Sequence, residues 1–112
     1  MYVAQQGASS LPHGWIIIWR LPSGVAPAER TKFHTAFYGQ HSSSHQGRYA
    51  YRREGLLDTI AHRKLGRGIV LVRDAGRSPV EDLLRQHAEE IHVRRVRLEP
   101  EDIEAMSATT PN

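Results

Sequence analysis

The amino-acid sequence predicts an α+β fold: a four-stranded antiparallel sheet with two helices on one of its faces. Three observations point there. Two continuous apolar runs, residues 15–21 and 68–73, are rich in β-branched and aromatic side chains and bounded by Gly, Pro or Asp, as strands buried on both faces are. Two arginine-rich runs, 48–53 and 93–98, alternate in character like edge strands, where charge discourages stray pairing. Segments of helical periodicity follow the first and third of these four runs, so the order reads strand, helix, strand, strand, helix, strand.

Each element has its own signal. Residues 1–14 mix Gln, Gly, Ser and Pro without periodicity and are expected to form a flexible N-terminal segment. The first strand, 15–21, stops at Pro22-Ser23-Gly24. From Pro27 onward Ala26, Phe33, Ala36 and Phe37 recur at helical spacing, and Gly39 supplies the stop. Residues 40–47 hold three serines and two histidines without an apolar pattern, which predicts a loop. In 48–53, Tyr49, Tyr51 and Arg53 share one face and Arg48, Ala50 and Arg52 the other, as in a second strand at a sheet edge. Residues 56–60 fit a helical turn or a strand extension, and His62-Arg63-Lys64 reads as a basic loop.

The third strand, 68–73, ends at Asp74-Ala75-Gly76. Ser78 then offers an N-cap, Pro79 a first helical position and Glu81 a capping-box acid, ahead of Val80, Leu83, Leu84, His87, Ala88 and Ile91 at helical intervals. In the fourth strand Val96 and Leu98 oppose Arg95 and Arg97, and Pro100 ends it. Residues 101–112 are expected to be a C-terminal tail. Two right-handed crossover units sharing one sheet make a single ferredoxin-like βαββαβ domain over 15–100, with strands one and three at its centre.

Composition narrows the function classes. The 112 residues contain no cysteine, which excludes disulfides, thiolate zinc sites, iron–sulfur clusters and cysteine nucleophiles. The apolar run at 15–19 is far shorter than the ~20 residues of a membrane-spanning helix. No secretory signal is visible in the first ten residues, and the expected location is cytoplasmic. Fifteen Lys and Arg against twelve Asp and Glu give a net charge of +3. The excess sits mid-chain: Arg48, Arg52, Arg53, Arg63, Lys64, Arg67 and Arg73 face only Glu54 and Asp58. Arginine binds phosphate bidentately, so Arg48, Arg52, Arg53, Arg63, Lys64 and Arg67 are the candidate nucleic-acid-binding residues.

Gly47-Arg48-Tyr49-Ala50-Tyr51-Arg52 has the look of an RNA-recognition aromatic motif but falls on the second strand rather than the third, so Tyr49 and Tyr51 read as strand formers. Among seven histidines, His62 beside Arg63 and Lys64 is the candidate general acid or base. His41 and His45, with His34 near, lack the carboxylates of a metal site, and His87 and His92 read as surface or helix-end residues. No metal and no cofactor is expected. Because both faces of strands one and three are apolar, the face away from the helices needs a cover, and a second copy of the chain is the expected one.

The element order, the length, the first strand Ile16-Ile17-Ile18-Trp19 and the basic second half resemble the CRISPR-associated Cas2 and VapD group over roughly residues 15–98. The resemblance implies a ferredoxin-like homodimer that binds or cleaves nucleic acid. Some members end the first strand in an aspartate. Here Trp19-Arg20 holds that place, and an arginine cannot ligate magnesium. The expected function is therefore a nucleic-acid-associated dimer that binds RNA or DNA, within a larger nucleoprotein assembly or alone. The alternatives are a small dimeric adaptor or ligand-sensing module, and a metal-independent endoribonuclease working through His62 or through His41 and His45.

Overall fold

A strand that is apolar on both faces has to lie between two layers, and the first strand does. The computed structural model describes residues 12–44 and 49–108. Strand β1 (His13–Arg20) pairs antiparallel with β5 (Ile69–Val72) on one side and with β6 (Glu90–Arg97) on the other. Strand β4 (His62–Gly66) completes an antiparallel four-stranded sheet in the order β4-β5-β1-β6. Helices α1 (Pro27–Tyr38), α2 (Asp74–Arg85) and α3 (Pro100–Ala108) surround it. The α+β class and the central position of the two apolar runs agree with the sequence reading. The arrangement is compatible with a ferredoxin-like fold, although the element order is not an exact βαββαβ match.

The register divides the sheet into two faces. Ile17 and Trp19 stand with Val70 and Val72 on the first face, and α1 and α2 bring Phe33, Phe37, Val80 and Leu84 onto them to form the main core. Phe33 and Phe37, one helical turn apart, are the only buried side chains of α1, and the Phe37 ring meets Trp19 edge-on at 4.9 Å. The second face carries Leu71, with Ile16 and Val96 packed beside it. Met106 and Ile103 of α3 cover them, together with Leu98. The segment expected to be a tail thus closes part of the second face. Cover ends before Ile18, which is 38% exposed, and Leu65, which is 45% exposed.

Four local expectations need correction. The arginine-rich run 48–53 forms a strand as expected, but not at an edge of the main sheet. As β3 (Tyr49–Arg53) it pairs with β2 (Gln40–Ser44) in a separate two-stranded ribbon, and β2 occupies the expected loop. Backbone pairing asks for no apolar pattern, so a polar strand leaves no trace in periodicity. The edge belongs instead to β4, expected as a basic loop, because the two-residue turn Arg67-Gly68 closes a hairpin onto β5 at little entropic cost. Gly68 adopts φ 74° there, and a Cβ would stand 2.7 Å from the Trp19 carbonyl oxygen.

The third correction is the start of α2, at Asp74 rather than Ser78, with Pro79 inside the helix. Contacts to other elements hold its first turn: Trp15 Nε1 donates to Asp74 at 2.7 Å, the Arg77 guanidinium stacks on the Trp15 ring at 3.9 Å, and buried Gly76 abuts Ile60 and Val72. The fourth is α3 itself, which starts at Pro100, the residue expected to end the last strand; that strand stops earlier, at Arg97. Residues 56–60, left open between two readings, form a 3-10 turn over Leu56–Thr59.

Candidate anion-binding cleft

The α1 sequence places Arg30, His34 and Tyr38 four residues apart, in one stripe beside the buried Phe33 and Phe37. Burial of the phenylalanines turns that stripe toward the end of the sheet where β1 finishes and the β4–β5 hairpin turns. There the stripe meets Lys64 of β4, Arg67 and Gly68 of the turn, and Trp19, Arg20 and Leu21. Together with Gly39 they line a cleft of about 670 Å³. Four of its ten lining residues are Arg or Lys, and none is acidic.

Partners separate these cations. Arg20 is committed to Glu89 at 3.0 Å and to Glu90 at 2.8 Å. Among the described residues, Arg30, Lys64 and Arg67 form no ion pair. Lys64 Nζ stands 4.6 Å from the centre of the Tyr38 ring, a cation–π contact that leaves its charge uncompensated. His34 packs against Phe33 and Tyr38 at 5.5 and 5.7 Å between ring centres. Its pKa is held below the usual 6.5, first by withdrawal from water between these rings and then by the charges of Arg30, Lys64 and Arg67. Burial raises the Tyr38 hydroxyl pKa, which keeps its proton on and makes it a hydrogen-bond donor. The cleft is a concave set of donors and positive charge, and its chemical complement is an anion.

Of the candidate nucleic-acid residues, Lys64 and Arg67 meet in this cleft and the others lie elsewhere. Arg52 pairs with Asp58 at 2.7 Å and donates to the Tyr38 carbonyl oxygen. Burial acts to raise the Asp58 pKa, but hydrogen bonds from Arg52 and the Gly55 amide, with the Arg52 charge, outweigh it and hold the carboxyl below 3.8. Arg63 is on the opposite face, bonded to Asp102 of α3 at 2.7 Å with Glu101 at 3.8 Å. Arg53 borders a separate depression with Lys32 and Thr35. Arg48 lies outside the described residues.

The candidate acid–base residue His62 does not line the cleft. It is half-buried on β4, with Nδ1 2.8 Å from the Ile60 carbonyl oxygen, a contact that fixes the proton on Nδ1. His41 falls in β2, and His45 lies outside the described residues. His87 packs on Phe33 and His92 bonds Glu90. Among the described residues, no three His, Asp or Glu side chains converge in a group that could hold a metal ion. No described helix is long and apolar enough to cross a membrane.

Arg30 and Tyr38 are cleft residues that the sequence reading passed over, while His34 was weighed only for a metal site and Arg20 only as the residue in an aspartate's place. The i, i+4, i+8 spacing of Arg30, His34 and Tyr38 on α1 is the signal that could have found them, although apolar periodicity does not register it. Comparison with protein-family models, with curated proteins and with solved structures gives no match to this chain.

Proposed function

We propose that the protein binds nucleic acid by its phosphate groups, held in the cleft between α1 and the β4–β5 turn. The observation that carries this reading is the convergence of Arg30, Lys64 and Arg67 on one concave space without a carboxylate among its lining residues. Like charges gathered on one concave surface repel each other, and an anion between them relieves that repulsion, so the arrangement favours occupancy by one. Arg30 and Arg67 offer planar forks for two phosphate oxygens, Lys64 a point charge, and His34 and Tyr38 further donors. Reaction chemistry is not part of the proposal, since His62 stands apart from the cleft.

A ferredoxin-like core related to the Cas2 and VapD group belongs to the same proposal. It is supported by the strand order β4-β5-β1-β6 with α1 and α2 on one face. The homodimer has a smaller basis than the sequence suggested. Helix α3 already covers Ile16, Leu71 and Val96, so the case for a second copy rests on the apolar surface around Ile18 and Leu65.

Titrating a fluorescent single-stranded RNA at increasing salt tests the binding. Log affinity should fall with log salt, and Arg30→Ala with Arg67→Ala should flatten the slope by about 0.7 for each phosphate no longer held. A wild-type slope near zero, or no binding at low salt, would refute the reading in favour of an adaptor.

A further inference from the structure

We infer that the cleft receives the terminal phosphate monoester of a single strand, not the diesters along its length. The inference rests on the phosphate-binding reading above and specifies which phosphate is bound.

Three observations select the strand end. First, a cation already paired with carboxylates stands at each end of the cleft. At the β1 end Arg20 is neutralised by Glu89 and Glu90. At the other end Arg52, which reaches the Tyr38 carbonyl, is neutralised by Asp58. A strand running through would leave the three free cations for neutralised ground on either side. Second, charge density favours a monoester. A diester brings one negative charge to a given place, whereas a terminal phosphate carries about 1.5 to 2 at pH 7 with three acceptor oxygens on one atom. Arg30, Lys64 and Arg67 around one space match the compact dianion better. Third, neither Trp19 nor Tyr38, the described Trp and Tyr of the lining, offers a free ring face for stacking. Trp19 is buried, Lys64 lies over the Tyr38 ring, and Phe37 and His34 pack against the same tyrosine. Strand binders without sequence preference use open aromatic faces along the chain, and this site offers charge instead.

The test compares one RNA of about ten nucleotides in 5′-phosphorylated, 3′-phosphorylated and doubly hydroxyl-terminated forms, with adenosine monophosphate as a fourth ligand, each titrated against the full chain. A terminally phosphorylated strand should bind roughly tenfold or more tighter than the unphosphorylated one, the scale of one added charge-assisted contact. Arg30→Gln with Arg67→Gln should bring the forms to similar affinity while circular dichroism stays that of the native fold. Equal affinity of all three strands for the wild type would overturn the strand-end inference and leave the general phosphate reading standing. Mononucleotide binding as tight as that of the phosphorylated strand would also overturn it, naming a free nucleotide as the ligand. Failure of every ligand to bind would remove both.

Discussion

Replacing Met106 with alanine tests whether α3 is a structural layer of the domain. Met106 is 2% exposed and sits against Leu71, Leu98, Ile16 and Val96 on the second face of the sheet. Burying a methionine side chain contributes about 1.5 to 3 kcal/mol, and Met-to-Ala changes in cores cost about 2 to 5 kcal/mol once the residual cavity is counted. The loss has a ceiling here. Helix α3 is nine residues long and is held by Met106, Ile103 and the Arg63–Asp102 bond, so a variant that loses too much releases the helix instead of keeping a cavity. The expected cost is therefore about 2 to 3 kcal/mol, at the lower end of the range. For a domain of this size that is a fall in melting temperature of about 10 °C or more. Urea unfolding followed by tryptophan fluorescence measures it. The double variant with Ile103→Ala should cost less than the sum of the two single changes, because both report the same undocking. A cost under about 0.5 kcal/mol, the level of an ordinary surface substitution, would show that α3 does not cover the sheet and would return that face to a second copy of the chain.

Two further outcomes follow from the geometry. Gly55→Ala should destabilise the fold by at least about 1 to 3 kcal/mol, because the new Cβ would run into the Gly39 amide nitrogen and stand 2.6 Å from the Tyr38 carbonyl carbon; thermal melting indistinguishable from wild type would contradict that close approach of α1 and the 3-10 turn. Phosphate binding should carry a component that strengthens as pH falls: withdrawal from water between the Phe33 and Tyr38 rings, with the charges of Arg30, Lys64 and Arg67, holds the free His34 pKa down, and a bound anion raises it, so the complex takes up a proton that the free protein lacks. His34→Gln should remove this component, leaving only the second ionisation of phosphate near pH 6, and identical pH profiles for the two proteins would exclude His34 from the binding surface.

Much of this molecule was legible along the chain, and the legible parts share a cause. Continuous apolar runs and apolar residues at helical spacing record burial locally, which is why β1, β5, α1 and the Val80–Leu84 stripe of α2 were recognisable from the sequence. The basic character of the middle of the chain was equally plain. Whether those charges are available was not, because pairing depends on proximity in space: Arg63 meets Asp102 across 39 positions, and Arg52 meets Asp58 only because the 3-10 turn brings that carboxylate back. Strand β3 was readable as a strand, but its partner β2 and the β4 edge were hidden for another reason. Both are polar, and pairing through the backbone asks nothing of side-chain pattern. Tertiary structure alone decided that α3 covers the second face and that α1 brings Arg30 and His34 against Lys64 and Arg67. Periodicity shows that a face is buried, but only the packing of distant segments determines what lies against it.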